Sequence, residues 1–195
     1  RLSLPEYGWK RIECDARVEA QDEVLSTGRA NPSECILPDV FLTALKRLNP
    51  QIVEDTLKGI LQELRKDFTG TDMIDTNYRL YQKIRNGIKV PIQKNGKEDF
   101  DIVRLFDFDH PERNDFHCVN QMWIKGHYRY RRPDVLLFVN GLPVVFIELK
   151  NSTVKIEEAY NKNLTSYRQD IPNIFAFNQI CVLSNGLQTK IGAWN

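Results

Sequence analysis

Apolar residues recur at helical spacing in three segments of the N-terminal half of the chain. The pattern predicts helices over residues 39–48, 52–64 and about 76–86. Residues 1–35 are polar and mixed, and a cluster of Gly, Asn and Pro within them marks a loop. We therefore interpret residues 36–87 as a mainly helical part of the protein.

From residue 88 onward the pattern changes to short extended segments. Two pairs of them are joined by Asn-Gly, a dipeptide that favours tight hairpin turns. The almost continuous apolarity of the later strands is typical of strands covered on both faces. We therefore predict a mixed sheet over residues 88–195 and one α/β domain over residues 1–195, with helices flanking a central sheet. The predicted elements are, in order, a hairpin (88–93 and 101–108), a strand (116–124), a hairpin (128–139 and 143–149), a helix (154–168) and a strand (179–184).

Composition limits the class of protein. The 195 residues are 42% hydrophobic and 27% charged, with 27 Lys+Arg against 26 Asp+Glu, so the formal net charge is +1. This balance is that of a globular domain, and it argues against autonomous nucleic-acid binding by bulk electrostatics. The four cysteines are widely spaced, so we expect reduced thiols in a cytoplasmic protein and no zinc site. No segment has the roughly 18 consecutive apolar residues of a membrane span.

Charged residues stand at the ends of the apolar strands of the second hairpin. Asp134 opens the first strand, while Glu148 and Lys150 end the second strand and lie on one face, because side chains alternate along a strand. Charges in such places are costly unless they are paired, hydrated or bound to a metal. The strand ends are therefore the candidate site.

The length of the turn decides whether Asp134 meets Glu148. A strict two-residue turn at Asn140-Gly141 would place Asp134 opposite Ile147, and Glu148 would then face away. A three-residue loop, or an equivalent bulge, places Asp134 opposite Glu148. We expect the second register.

Two carboxylates and an ammonium on one face suit metal-assisted hydrolysis of a phosphodiester. Mg²⁺ prefers carboxylate and carbonyl oxygens, so the expected ligands are Asp134, Glu148 and the carbonyl of Leu149, with Mn²⁺ as a substitute metal. The cation would polarise the phosphoryl oxygen and activate a bound water. Lys150 would orient that water or stabilise charge in the transition state. The alternative for the same residues is an ordinary hairpin salt bridge.

The strand-end residues also carry a resemblance to a known family. Pro133-Asp134 followed by Glu148-Leu149-Lys150 resembles the motif of the PD-(D/E)xK nuclease superfamily. Longer segments are similar to the N-terminal nuclease domain of the R (restriction and translocation) subunit of type I restriction enzymes, from about residue 40 onward. These segments are LKRLNP (45–50), DFDHPERNDF (107–116), VNQMWI (119–124), RRPDVLLFVNGLPVVFIELKN (131–151) and YRQDIPNIFAFNQICVLSNG (167–186).

The resemblance implies a restriction-endonuclease-like core and a Mg²⁺-dependent endonuclease of a restriction-modification system, which hydrolyses double-stranded DNA without its own sequence readout. It implies that Asp134, Glu148 and Lys150 are the catalytic residues. It also implies a complex with methylation and specificity subunits, and an ATP-binding, helicase-like motor on the same polypeptide. The chain contains no G-x-x-x-x-G-K-[ST] motif, so the ATP-binding motor is expected to lie beyond Asn195 or to be absent. We expect the chain to be part of a longer protein.

The family also carries a Q-x-x-x-Y motif on the helix after E-x-K. The corresponding residues here are Asn163 and Tyr167, with Asn in place of the usual Gln. Helical spacing directs both toward the sheet, and the resemblance implies a catalytic role for them. A core tyrosine with its hydroxyl at the rim is the alternative for Tyr167. Related nucleases often add an acid from an earlier helix, and nothing in the sequence selects among Glu54, Glu63 and Asp67.

The segment 125–132 is the expected DNA-binding surface. It carries four permanent positive charges, no acid and two interleaved tyrosines, and it leads directly into Asp134; the cations are Lys125, Arg129, Arg131 and Arg132. Alternation along a strand would place Arg129 and Arg131 on one face, suited to phosphate contacts. A solvated edge strand is the alternative.

Two other functions remain open for the chain as a whole. The first is a catalytically silent docking or DNA-binding module that keeps the nuclease fold. The second is a two-carboxylate hydrolase such as a glycosidase. The intact trio of Asp134, Glu148 and Lys150 argues against the first, and the adjacent ammonium and the basic segment fit phosphate better than sugar.

Overall fold

A computed structural model describes residues 8–14, 20–66, 72–94, 96–127, 129–158 and 165–193 of the chain. Its helices are α1 (Ala20–Thr27), α2 (Pro38–Leu48), α3 (Glu54–Lys66), α4 (Met73–Asn86), α5 (Ile156–Glu158) and α6 (Thr165–Asp170). Its strands are β1 (Trp9–Glu13), β2 (Ile88–Lys94), β3 (Lys97–Val103), β4 (Phe116–Asn120), β5 (Ile124–Lys125), β6 (Tyr130–Arg131), β7 (Val135–Val139), β8 (Leu142–Leu149), β9 (Ile180–Ser184) and β10 (Thr189–Gly192). Short 3₁₀ turns lie at Pro111–Arg113 and Pro172–Ala176.

A six-stranded mixed sheet forms the centre of the protein. Its order is β1-β4-β7-β8-β9-β10, with β1 parallel to β4, β8 parallel to β9 and the other neighbours antiparallel. The parallel pair β8–β9 requires a crossover, and the segment with α5 and α6 supplies it. The predicted α/β class with a central mixed sheet is confirmed.

The three helices predicted in the N-terminal half pack together with the hairpin β2–β3. Their apolar faces form one core, and its fully buried members include Phe41, Leu45, Leu64, Leu80 and Val103. The helix α4 begins at Met73, earlier than predicted, because the Asp72 side chain accepts a hydrogen bond from the backbone N–H of Ile74 at 3.0 Å. The hairpin therefore belongs to the helical layer, and it forms its own two-stranded sheet.

A second core lies on one face of the six-stranded sheet. On this face Leu136 and Phe138 of β7 and Phe146 of β8 pack against residues 171–175. Because side chains alternate along each strand, the even-numbered residues of β7 share this face with Phe146 near the end of β8. Asp134, Glu148 and Lys150 continue the same rows, so the face that carries the core also carries the candidate site.

The N-terminal region contains two elements that the sequence pattern did not predict. The strand β1 lies at the edge of the sheet, where Trp9 and Ile12 are only half-buried, so its apolar pattern is weak. In α1 the buried Glu23 forms an ion pair, accepting from the Arg29 guanidinium at 2.9 Å. Neither arrangement gives an apolar periodicity, which explains why both elements were missed.

Two predicted strands are shorter than expected, because residues between them form a separate ribbon. The predicted strand 116–124 ends at Asn120, where Gln121 takes a φ of 52°. The strand predicted from residue 128 begins at Val135. The residues in between pair with each other as β5 and β6, and we call this pair and its turn, residues 124–131, the basic ribbon.

The remaining composition-based predictions concern thiols and membranes. All four cysteines are buried and free, as expected for reduced thiols. Burial raises the pKa of the Cys14, Cys35 and Cys181 thiols to about 12. No helix in the described part of the chain is long and apolar enough to cross a membrane.

Candidate functional site

A two-residue turn joins β7 to β8, and its backbone is fixed by its neighbours. Asn140 and Gly141 both adopt positive φ, at 48° and 79°, as a type I′ turn requires. The buried Asn140 amide donates to the carbonyl of Leu105 at 2.8 Å and accepts from the N–H of Asp115 at 2.7 Å. A Cβ on Gly141 would lie 2.6 Å from the carbonyl oxygen of Leu37, so only glycine fits.

A bulge in β8 then shifts the register by one residue. Val139 pairs with Leu142 and Phe138 with Pro143, but the next pair is Leu137 with Val145, so Val144 has no partner in β7. The predicted three-residue loop is therefore wrong, but the equivalent bulge, the other arrangement that gives the expected register, is present. The consequence reaches the end of the hairpin, where Val135 pairs with Ile147.

The register places the two candidate carboxylates on neighbouring strands. One position beyond the last pair of the ladder, Asp134 lies opposite Glu148. The Asp134 carboxylate reaches across and accepts a hydrogen bond from the N–H of Leu149 at 2.7 Å. On the other side, the carbonyl of Asp134 accepts from the N–H of Gln121 at 3.0 Å, which continues the pairing with β4. Asp134 is thus held from both neighbouring strands.

Glu148 and Lys150 form a close ion pair on the core face of the sheet. The Lys150 ammonium lies 2.6 Å from one carboxylate oxygen of Glu148. Glu148 is only 3% exposed, and the ion pair offsets part of the free-energy cost of burying its carboxylate. The N–H of Lys150 donates to the carbonyl of Ser184 at 2.7 Å, so β9 fixes the backbone at this point.

The donor atoms at the strand ends fit a hard divalent cation that keeps several waters. In an extended strand the N–H and C=O of one residue point to the same side. Because the Leu149 N–H meets Asp134, the Leu149 carbonyl also points to the Asp134 side, beside two carboxylates. In the described part of the chain no group of three or more His, Cys, Asp or Glu is placed to hold a metal. The oxygen-only set is suited to Mg²⁺ and not to zinc.

Tyr167 on α6 approaches these carboxylates from the helical side. Its ring packs edge-on against Phe146, with ring centroids 5.2 Å apart, and its hydroxyl lies 3.5 Å from the carbonyl of Arg132. Burial, followed by the charges of Glu148 and Asp134, raises the pKa of Tyr167 above its ordinary value. The hydroxyl is therefore a hydrogen-bond donor at neutral pH. The other half of the motif, Asn163, lies outside the described residues.

The four candidate DNA-binding cations divide into two pairs. Lys125 and Arg129 are exposed on the basic ribbon. Arg131 instead pairs with Asp170 of α6, with the guanidinium nitrogens 2.5 and 2.7 Å from one carboxylate oxygen. Arg132 donates to the carbonyl of Gln121 at 2.8 Å. The first pair is exposed, whereas the second pair is half-buried and bound to neighbouring groups.

The acids of the earlier helices lie elsewhere. On α3, Glu54 pairs with Lys58 at 2.7 Å and Glu63 pairs with Lys83 at 2.8 Å, both at the surface. Asp67 lies outside the described residues. Glu23, a buried acid of the N-terminal region, was missed by the sequence reasoning.

Glu23 fixes the loop that leads into the basic ribbon. One of its carboxylate oxygens accepts from Arg29 at 2.9 Å and from the N–H of Trp123 at 2.8 Å, and Arg29 donates to the carbonyl of Trp123 at 2.9 Å.

Asp170 was missed by the sequence reasoning as well. Its residue type gave no indication of its role, but Gly126 inside a basic strand indicates a close backbone approach, and Asp170 is the residue approached.

Comparison with known proteins identifies relatives over most of the chain. The chain is 32% identical over 169 residues to the type I restriction enzyme HindI endonuclease subunit of Haemophilus influenzae. It is 28% identical over 154 residues to the SsaAORF53P endonuclease subunit of Staphylococcus saprophyticus. These alignments cover 85% and 73% of this chain but 16% of each relative, so the chain spans about a sixth of their length.

The family described as "Type I restriction enzyme R protein N terminus" matches residues 2–195. This match covers nearly the whole chain, including the turn, the bulge and both strand ends. The predicted resemblance is thereby confirmed, and the chain belongs to the family of N-terminal domains of type I restriction enzyme R proteins.

Proposed function

We propose that this chain is the endonuclease domain of a type I restriction enzyme R subunit and hydrolyses phosphodiester bonds of double-stranded DNA. The observation that carries the proposal is the placement of Asp134 opposite Glu148, with Lys150 on the same face. The bulge in β8 serves this alignment, because without it the two carboxylates would lie on opposite faces. A hairpin salt bridge needs no such alignment.

Asp134, Glu148 and the carbonyl of Leu149 would hold a Mg²⁺ ion, for which Mn²⁺ would substitute. The cation supplies polarisation of a phosphoryl oxygen and a lower pKa for a coordinated water. Glu148 is buried and held by Lys150, while Asp134 is held by the N–H of Leu149. Both carboxylates are therefore oriented by the protein before any ligand arrives.

Lys150 and Tyr167 would act on the reacting phosphate. The Lys150 ammonium is one-quarter exposed at the edge of the site, so it neutralises Glu148 and still reaches a phosphate or an attacking water. The Tyr167 hydroxyl remains protonated, donates to the carbonyl of Arg132 and lies near the charges of Glu148 and Asp134. A catalytic role for Asn163 stays a prediction from the family motif.

Lys125 and Arg129 would contact the DNA backbone. They are exposed on a ribbon whose strand β6 leads within three residues to Asp134. Contacts of this kind depend on charge and carry no base information, which fits cleavage that does not choose its own sequence. Arg131 and Arg132 support the ribbon from the protein side.

The relatives are endonuclease subunits of type I restriction enzymes, and the chain covers 16% of their length. The rest of the protein would therefore carry the ATP-dependent, helicase-like motor, and the cytoplasmic complex would contain methylation and specificity subunits. Access to DNA would come from these parts. The near-zero net charge of the chain fits a cutting domain that other parts deliver to DNA.

The decisive experiment removes Lys150 in the assembled full-length enzyme. Lys150→Ala should abolish DNA cleavage and leave ATP hydrolysis unchanged, whereas Lys190→Ala, which removes a surface lysine paired with Glu157, should change neither. Wild-type cutting by Lys150→Ala would favour the silent docking module instead.

A further inference from the structure

The basic ribbon lies directly on the end of helix α6, with no side chain between the two backbones. A Cβ built on Gly126 would lie 1.4 Å from the carbonyl oxygen of Asp170, the last residue of that helix. Any residue other than glycine would push the ribbon away from the helix. The backbone contact therefore sets the distance between the ribbon and α6.

A salt bridge fixes the same two elements in orientation. Arg131 of β6 uses two guanidinium nitrogens, 2.5 and 2.7 Å from one carboxylate oxygen of Asp170. The Arg131 guanidinium also lies 5.9 Å from the centroid of the Tyr167 ring. The Asp170 side chain is 19% exposed and that of Arg131 36%, so the contact lies at the edge of the solvent and acts through its two-nitrogen geometry.

Tyr167 and Asp170 are one helical turn apart on α6, so whatever holds Asp170 also holds Tyr167. Tyr167 in turn contacts the candidate site through Phe146 and through the carbonyl of Arg132. The ribbon, the end of α6 and the two carboxylates are thus joined by a short chain of direct contacts. None of these contacts requires an exposed side chain of the ribbon.

We infer that Asp170 and Gly126 are positioning residues that hold the DNA-binding ribbon and Tyr167 in register with Asp134 and Glu148. The inference rests on the proposed nuclease function. Lys125 and Arg129 bind the phosphate backbone on the outer side of the ribbon, and the contact with α6 fixes where that backbone lies relative to the strand ends. A displacement of about 1 Å between binding and reacting groups is enough to cost about a hundredfold in rate.

The charge of Asp170 distinguishes positioning from binding. An acid beside a DNA-binding ribbon repels phosphate, so its removal should strengthen DNA binding if only charge mattered. If Asp170 positions the ribbon, its removal should instead lower the rate of cleavage. Asp170→Asn should lower the single-turnover cleavage rate by about tenfold or more at saturating DNA, while affinity measured without divalent cations stays equal or increases. Asp170→Glu, which keeps the carboxylate, should recover most of the rate.

Gly126→Ala tests the backbone contact without changing charge. It should also lower the cleavage rate at saturating DNA, because the added methyl group must displace the ribbon from α6. The matched control is Gly59→Ala in α3, where a Cβ meets no atom within 4 Å. Asp75→Asn is the control for removal of an acid, since Asp75 is an exposed partner of Arg79 on α4. Both controls should cleave at the wild-type rate.

All variants are made in the assembled full-length enzyme, with Lys150→Ala measured beside them. Wild-type cleavage by Asp170→Asn, or a loss of cleavage matched by an equal loss of DNA affinity, would overturn the inference while Lys150→Ala still abolishes cutting. If Lys150→Ala cuts normally, the nuclease assignment itself fails. Should Gly126→Ala prevent folding, the Asp170 pair of variants decides the question alone.

Discussion

Asp134 lies opposite Glu148 because β8 has one more residue than β7 between the turn and the site. Five steps separate Val139 from Asp134, and six separate Leu142 from Glu148, with Val144 as the extra residue. The bulge therefore restores the register that a two-residue turn alone would not give. The bulge at Val144 thus determines the alignment of the two carboxylates at the far end of the hairpin.

Two deletions in β8 test this relationship. Deletion of Val144 removes the bulge but keeps Asp134 opposite Glu148, so cleavage should survive. The free energy of unfolding should fall by about 2–4 kcal/mol, because the variant lacks the buried valine side chain and the hydrogen bond that the N–H of Gln179 donates to the Val144 carbonyl. Deletion of Val144 and Val145 together moves Leu149 opposite Asp134 and turns Glu148 to the other face, so cleavage should vanish.

DNA cleavage is measured for both deletion variants. The temperature is one at which hydrogen exchange shows that β7 and β8 are still protected in both variants. Equal activity in the two variants would show that the register beyond the bulge does not matter. Loss of activity in the single deletion, with the strands still protected, would show that the bulge itself has a role in the site.

The sequence predicted the strand ends of the site better than the path of the chain between them. Glu148 and Lys150 could be placed on one face because a strand period of two needs no tertiary information, whereas the face of Asp134 depends on the register of the hairpin. The turn length could not be predicted, because Gly141 is selected by the approach of Leu37 to its Cα, which is a contact between distant segments. Residues whose role depends on such contacts leave little local pattern.

The same reason explains why the support of the site was missed. Asp170 is a polar residue at a helix end, and its importance lies in its contacts with the ribbon some forty positions earlier. The buried pair of Glu23 and Arg29 is polar and gives α1 no apolar stripe. Hydrophobic periodicity identifies residues of the apolar core, but it does not identify residues that are buried as ion pairs.

Cation binding should depend on the two carboxylates and not on Lys150. Asp134→Asn and Glu148→Gln should each weaken Mn²⁺ binding by at least about tenfold, because each removes a charged oxygen ligand. Lys150→Ala should tighten it, since the ammonium lies 2.6 Å from a Glu148 oxygen and repels a cation there. Titration calorimetry of the full-length protein without DNA measures this, with Glu157→Gln as the surface control. Unchanged Mn²⁺ binding in both carboxylate variants would place the cation elsewhere.

Asn140 should stabilise the hairpin in two separable ways. Asn140→Gly keeps the positive φ but leaves the buried Leu105 carbonyl and Asp115 N–H without their side-chain partner. The free energy of unfolding should therefore fall by about 2–3 kcal/mol. Asn140→Ala should cost about 1 kcal/mol more, because alanine tolerates the left-handed backbone poorly. Hydrogen-exchange protection of the β7 and β8 amides measures both. Equal protection in the two variants would mean that the backbone contributes nothing.

His117 should make the sheet less stable as the solution becomes acidic. Burial, followed by the charge of Lys10, lowers the pKa of His117 below its ordinary value, although Asp115 opposes the shift. The unfolded chain therefore takes up a proton first, so stability falls as the pH drops through the ordinary histidine value and levels off below the folded one. Hydrogen exchange of β4, corrected for intrinsic rates, should show this loss in the wild type. His117→Gln, which cannot titrate, should show a smaller loss, and an identical loss would assign the effect to other groups.

Lys125 and Arg129 should account for part of the salt dependence of DNA binding. Each phosphate contact contributes about 0.9 to the slope of log affinity against log salt, so replacing both by alanine should reduce that slope by roughly 2. Lys94→Ala with Lys97→Ala, on the exposed hairpin β2–β3, removes the same charge outside the ribbon and should leave the slope unchanged. The affinity should fall equally for unrelated DNA sequences, because phosphate contacts carry no base information. An equal change of slope in the two double variants would show that DNA responds to net charge alone and does not bind the ribbon.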